Sequence, residues 1–116
     1  MSDNGSSRPP TERKTRRHER KRVEVPVTIV EAEQRTAGGL VFDAADMSLG
    51  GVFLRSTVLF EVDEELSIEF LVGAQKVLAK ARVVRVSYDE PPGMGIEFTQ
   101  LGERDREAIK AYLHRA

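Results

Sequence analysis

Residues 40–55 read LVFDAADMSLGGVFLR, and this stretch decides how the chain folds. Residues 40–45 and 52–55 are two short runs rich in apolar side chains. Between them lie Asp46, Ser48, Gly50 and Gly51, which are residue types that favour tight turns. Two apolar runs joined by a tight turn predict a strand, a turn and a second strand.

Other segments alternate between apolar and polar side chains, which predicts strands with one buried face. The pattern is clearest at residues 23–29, where Val23, Val25, Val27 and Ile29 alternate with other residues. Similar strands are predicted at ELSIEF (65–70), at residues 77–86 and at GMGIEF (93–98). Pro26 has no backbone donor, so its strand lies at an edge or its nitrogen points away from the ladder.

The last segment, LGERDREAIKAYLHRA, changes from a period of two to a helical period. Its apolar side chains fall on one face, and acidic residues precede basic ones along the segment, as the helix dipole favours. Several short strands followed by one helix predict a mainly β domain, built as a barrel or a sandwich with an amphipathic C-terminal helix. The alternation also assigns Phe53, Phe70 and Phe98 to the interior.

The first part of the chain differs in charge from the rest. Residues 8–22 hold six arginines and two lysines against Glu12 and Glu19, which gives +6. The whole chain carries −1 and Asp3 contributes −1, so residues 23–116 carry −6. Residues 1–12 are too polar to join a core and predict a disordered leader. Residues 13–22 predict a flexible basic arm suited to an anionic partner.

Composition argues against several classes of function. There is no cysteine, and the two histidines, His18 and His114, make a metal site improbable. No phosphate-binding glycine loop and no Ser, His and Asp set is evident, which predicts a protein that is not an enzyme and needs no cofactor or metal. The adjacent Glu64 and Glu65 are interpreted as solvated charge. With no apolar span or signal peptide, the expected location is soluble and cytoplasmic.

Two features can contact a ligand. Asp46 and Ser48 are two residues apart, so on an extended chain they would project to the same side. Gly50 and Gly51 would allow positive φ and a close approach of the backbone to a ring or phosphate. Guanidinium groups of the arm can bind phosphate or guanine and can stack on a base. Taken separately, each feature has a commoner explanation, as an ordinary turn or as a solvated basic leader.

Their order and spacing resemble the PilZ domain family of cyclic diguanylate receptors. The Arg-x-x-x-Arg motif falls on Arg16 and Arg20, and Asp-x-Ser-x-x-Gly falls on Asp46, Ser48 and Gly51. Val25-Pro26-Val27 is similar to the Leu-Pro-Val that often follows the arm in that family. Arg13 with Arg17 offers a competing spacing for the first motif. The resemblance extends from residue 13 to residue 113.

The resemblance implies a six-stranded antiparallel β-barrel at residues 23–99, with a C-terminal helix at 101–115, within one domain spanning 13–116. It implies that cyclic diguanylate, often as an intercalated dimer, is bound by Arg16, Arg20, Asp46, Ser48 and Gly51. Arg17 is added to these residues by its proximity, and Gly50 because it also allows the backbone to approach the ligand. The arm would order on the ligand and relay the signal to an unidentified downstream protein. The alternatives are an adaptor of the same fold that binds only proteins, and a small barrel that binds nucleic acid. The negative body opposes the latter.

Overall fold

The computed structural model of the protein describes residues 19–33 and 39–115. The predicted leader and most of the predicted basic arm, including Arg13, Arg16 and Arg17, lie outside these residues. The described chain forms six strands and one helix, whose bounds are β1 Lys21–Ala32, β2 Leu40–Met47, β3 Gly51–Arg55, β4 Glu65–Val72, β5 Gln75–Ser87, β6 Gly93–Leu101 and α1 Glu103–Arg115.

The strands close into an antiparallel barrel in the order β1-β2-β3-β6-β5-β4. Strand β1 completes it by pairing with β2 on one side and with β4 on the other. The predicted mainly β fold is confirmed, as a barrel rather than a sandwich. Element bounds differ slightly from those expected: β1 begins at Lys21 inside the basic segment, β6 runs to Leu101, and the helix begins at Glu103.

The alternation of apolar and polar residues in β1 correctly predicts which of its side chains enter the core of the barrel. Val23, Val25, Val27 and Ile29 are buried, whereas the residues between them are exposed or half-buried. Pro26 lies opposite Asp43 of β2, and pairing with β4 begins one residue later, at Val27. The proline therefore lies within the β1–β2 ladder and beyond the β1–β4 ladder.

Helix α1 packs against β5 and β4 through Ile109 and Leu113, which are both buried in the same core. The Asp105 carboxylate accepts hydrogen bonds from Gln75 Nε2 at 3.3 Å and from the Leu78 backbone N–H at 3.4 Å. These contacts hold the first turn of the helix to the start of β5. Among residues 19–33 and 39–115, no helix has the length and hydropathy that crossing a membrane requires.

Two sequence-based interpretations are wrong. Phe53 is not in the barrel interior, because Val52 and Leu54 occupy the inward positions of β3 and leave it on the outer face. Glu64 is not solvated: it is fully buried, and its Oε1 accepts the Glu61 N–H at 3.2 Å. The chain turns directly before it, at Asp63, which has a φ of 77°.

Candidate functional site

An ion pair joins the basic segment to the barrel. Arg20, directly before β1, donates to Asp46 Oδ1 from Nε at 2.9 Å and from Nη2 at 2.6 Å. Both side chains remain accessible, at 48% and 34% of their surface. Two of the residues predicted to bind a ligand are thus brought together across 26 positions of sequence.

A bulge in β2 sets the direction of Asp46. Pairing between β2 and β3 joins Ala44 to Leu54 and Asp46 to Phe53, so Ala45 is an extra residue. A bulge of this kind bends its strand and re-aims the side chains beside it. Asp46 is consequently placed beside the outward-facing Phe53 and opposite Arg22 of β1.

The turn after β2 is held by Ser48. Its Oγ accepts the Gly50 N–H at 3.0 Å, and its own N–H donates to the Gly51 carbonyl at 2.8 Å. Only 2% of Ser48 is exposed, so it does not project beside the accessible Asp46 as the period of two suggested. The chain leaves the strand after Met47, which ends that period. The contact of Ser48 with a guanine stays a prediction.

Gly51 is required by a close approach of two strands. A Cβ at this position would lie 2.0 Å from the Ile96 carbonyl oxygen of β6. This distance is too short for any residue other than glycine unless the two strands move apart. Within the described residues, the glycines with positive φ are Gly39 and Gly73, so left-handed backbone is not the reason for glycine here. The turn is also tied to β6 by the Phe98 N–H, which donates to the Gly50 carbonyl at 2.8 Å.

Each partner of the Arg20–Asp46 pair lines one of two open clefts. The first cleft has a volume of about 1040 Å³ and is lined on one side by Arg20, Ser48, Gly50 and Gly51. All the described residues of the predicted site except Asp46 line this cleft. Glu97 also faces it, but Arg82 Nη2 donates to Glu97 Oε1 at 2.8 Å, and this partner raises the pKa of Arg82. The carboxylate is therefore balanced by a positive charge.

The second cleft has a volume of about 910 Å³ and is lined by Asp46. Its cationic lining consists of Arg22, Arg55 and Arg85, and its aromatic lining includes Phe53. Each cleft is large enough to hold a nucleotide. A ligand that contacted both partners of the ion pair would have a cleft beside each of them.

The sequence matches the family model of the PilZ domain over residues 14–115. The chain belongs to the PilZ domain family. PilZ domains are generally cyclic diguanylate receptors, although some members lack ligand binding. In this PilZ domain, Asp46 lies near the end of β2, Ser48 follows that strand and Gly51 begins β3, and Arg20 bonds to Asp46.

Solved PilZ structures share this barrel at low sequence identity. The Bacillus subtilis inhibitor of motility (MotI/DgrA) is similar with a TM-score of 0.72 and 17% identity, over 86% of this chain and 50% of that chain. This PilZ domain thus spans about half the length of that protein. The PilZ domain of CeSA from a cellulose-synthesizing bacterium gives a TM-score of 0.54 and 14% identity, over 83% and 95% of the two chains.

A further similar structure is a tetrameric PilZ protein of Xanthomonas campestris, which self-assembles through a helical bundle. Its TM-score is 0.52 and its identity 17%, over 71% of this chain and 47% of that chain. No curated protein sequence matches the chain. At these identities the solved structures establish the fold of the PilZ domain, and its ligand has to be argued from its own residues.

Sequence reasoning predicted Asp46 but missed the other residues that line the second cleft. Arg55 and Arg85 belong to strands, and Phe53 was assigned to the core, so none of them stood out as part of a motif. The sequence did contain one indication of this cleft. Arg85 interrupts the apolar run VVRV, and a charged side chain in a strand is expected to face outward from the core. Arg16 and Arg17 lie outside the described residues, and their contacts with a ligand stay predictions.

Proposed function

We propose that this PilZ domain is a receptor that binds cyclic diguanylate at the Arg20–Asp46 pair. The observation that carries the proposal is the pair itself, because it joins one residue of each family motif and each of the two residues lines a nucleotide-sized cleft. A guanidinium can bind phosphate or the O6 and N7 edge of guanine, and a carboxylate can accept from the base. Arg20 and Asp46 supply these complementary groups.

We expect the ligand to insert between Arg20 and Asp46, because each side chain would form stronger hydrogen bonds with a guanine nucleotide than with the other side chain. An exposed ion pair contributes only about 0 to 1 kcal/mol to stability, so separating it costs little. Hydrogen bonds between a charged group and a ligand are typically stronger, at about 1.5 to 3 kcal/mol. Exchange of the Arg20–Asp46 bond for ligand contacts is therefore favourable.

The proposed output is a change in the position of the basic arm. Arg16 and Arg17 precede Arg20, so an Arg20 that moves onto the ligand would bring them towards it. Ordering of a segment on a ligand is a common switching mechanism. The surface presented to a downstream protein would then differ between the free and the bound receptor. In this proposal the domain acts in the cytoplasm as a binding module, with no chemical step.

The test is titration calorimetry of the full chain with cyclic diguanylate. The Arg20→Ala and Asp46→Ala variants should each weaken binding by about tenfold or more, which corresponds to about 1.4 kcal/mol. Arg104→Ala and Glu107→Ala change the same charges on the exposed side of α1 and serve as matched controls. Both controls should bind within about twofold of the wild type, since exposed substitutions away from a site have small effects.

Three outcomes separate the proposal from its alternatives. Binding that is lost in the site variants and kept in the controls supports a cyclic diguanylate receptor. Absence of heat with the intact chain contradicts it and favours an adaptor that binds only proteins. Affinity for arbitrary oligonucleotides that falls steeply with salt, with no preference for the dinucleotide, favours a nucleic-acid-binding barrel.

A further inference from the structure

Large apolar side chains are exposed on the outer surface of neighbouring strands of the barrel. Val41 of β2, Leu71 of β4 and Leu78 of β5 each keep more than half of their surface exposed. A single exposed apolar residue is common on a protein surface, whereas several on one surface often mark a contact site. Strand β1 lies between β2 and β4, so its outward residues belong to the same surface.

The register of the strands arranges this surface in two rows. From β2 to β5, the first row consists of Val41, Thr28, Glu69 and Leu78. In the same order, the second row consists of Asp43, Pro26, Leu71 and Lys76. Because barrel strands tilt by roughly 35 to 45° from the axis, such rows run obliquely and curve less than the circumference. We call the surface formed by these two rows the β1 face.

The charges of the β1 face are divided between its two sides. Asp43 is exposed on β2, and Lys76 is exposed on β5 at the other end of the same row. Lys76 Nζ lies 3.4 Å from Glu69 Oε2, but 61% of the lysine side chain stays exposed and can contact a second carboxylate. Beyond the first row, exposed Glu31 on β1 and exposed Lys80 on β5 continue this division.

A second copy of the β1 face matches this arrangement when it is rotated by a two-fold axis. If the axis is parallel to the strands and lies midway between β1 and β4, β2 of one copy faces β5 of the other. Asp43 then faces Lys76 of the second copy, and Val41 faces Leu78 of the second copy. The two-fold axis produces each of these contacts twice. The face is therefore complementary to itself in charge and in apolar character.

We propose that the β1 face is the interface of a homodimer with this two-fold symmetry. Sheets packed face to face keep their strand directions within about 30° of each other, a rotation that the long lysine side chain can follow. The net charge of the chain is −1, so long-range repulsion between copies is small. The first cleft is lined chiefly by β6 and the turn after β2, so it stays accessible in the dimer.

The test is analytical ultracentrifugation of the full chain over a series of concentrations. Because the interface is small, we expect a reversible dimer with a Kd between about 1 μM and 1 mM. Val41→Glu buries a charge against Leu78 of the second copy and should weaken association about tenfold or more. Val58→Glu makes the same change at a similarly exposed position in the β3–β4 loop, and should stay within about twofold of the wild type.

Reversal of single charges tests the two-fold arrangement itself. Asp43→Lys and Lys76→Glu each bring like charges together twice in the dimer, and each should weaken self-association about fivefold or more. An equimolar mixture of the two variants restores both contacts between opposite charges, so it should form mixed dimers with about the affinity of the wild type. Thermal unfolding identifies any loss that comes from misfolding, and the midpoints should stay within a few degrees of the wild type.

Each result supports or contradicts the dimer. A full chain that stays monomeric over the whole series contradicts it, as do dimers that form equally well in the Val41→Glu variant. If the mixture of charge variants associates no better than each variant alone, the two-fold arrangement is wrong. Loss in Val41→Glu, retention in Val58→Glu and recovery in the mixture support the proposal. None of these measurements uses cyclic diguanylate, so the dimer and the receptor function are tested independently.

Discussion

The two clefts beside the Arg20–Asp46 pair are built from different parts of the chain. The first is shaped by backbone, with the Ser48–Gly51 turn hydrogen-bonded to itself and to β6. The second is shaped by side chains, chiefly Phe53 and Arg85, which meet over Gly95. The two clefts should therefore respond differently to substitution. Substitutions in the first cleft should destabilise the fold, whereas substitutions in the second should remove side-chain contacts and leave the fold intact.

The largest expected effect compares one glycine from each cleft. Gly51→Ala would place a Cβ 2.0 Å from the Ile96 carbonyl oxygen, so β3 would have to move away from β6. We expect a loss of about 3 kcal/mol or more in the free energy of unfolding and a fall in Tm of roughly 12 °C or more. Urea denaturation and thermal unfolding measure both quantities.

Gly95→Ala is the matched substitution in the second cleft. Its added Cβ would meet only the Arg85 side chain, at 3.4 Å from Nε, which is an ordinary contact with a group that can move. We expect stability within about 1 kcal/mol of the wild type, because alanine also reduces the entropy of the unfolded chain. If Gly51→Ala and Gly95→Ala destabilised the protein equally, the first cleft would not differ from the second in depending on the backbone.

A smaller effect is expected from the hydroxyl that holds the turn. Ser48→Ala removes the acceptor of the Gly50 N–H in a buried position and should cost about 1 to 2 kcal/mol of stability. Ser56 makes the same kind of bond to the Val58 N–H at 2.8 Å, at an exposed position. Ser56→Ala should therefore cost about 0.5 kcal/mol or less, since water replaces the bond. Denaturant unfolding of both variants checks the order, and a Ser48→Ala protein as stable as Ser56→Ala would contradict the structural role of Ser48.

The smallest effect on stability is expected at the Arg20–Asp46 ion pair. A double-mutant cycle of Arg20→Ala and Asp46→Ala, measured by urea unfolding, should give a coupling energy of about 0.2 to 1 kcal/mol. Both side chains are partly exposed, so solvent screens their attraction. A coupling well above that range would mean that the pair is a structural element of the barrel, which would oppose its exchange for ligand contacts.

The sequence allowed most of the architecture to be predicted. The alternation in β1, the turn residues after β2 and the helical period of the last segment each depend on neighbours in sequence, and each matches the structure. Arg20 and Asp46 were predicted to contact the same ligand, and the structure places them in contact with each other. The sequence motifs alone specify no distance between these two residues.

The features that could not be predicted depend on strand pairing. The extra residue Ala45, the outward position of Phe53 and the contact of Arg85 across Gly95 follow from the register of three strands that are distant in sequence. Glu64 was misjudged for a related reason, since its burial depends on how the Asp63 turn meets the barrel. Local patterns predict which residues are apolar or charged, whereas these positions are decided by tertiary contacts.

The most direct measurement is an NMR titration of the full chain with cyclic diguanylate, following backbone amide shifts. The receptor function predicts saturable shifts that cluster at Arg20, Gly50 and Gly95 around the two clefts. Amides on the opposite outer face, such as Thr28 of β1 and Leu71 of β4, should remain unchanged. Absence of saturable shifts, or shifts confined to the face of Thr28 and Leu71, would contradict binding at the Arg20–Asp46 pair.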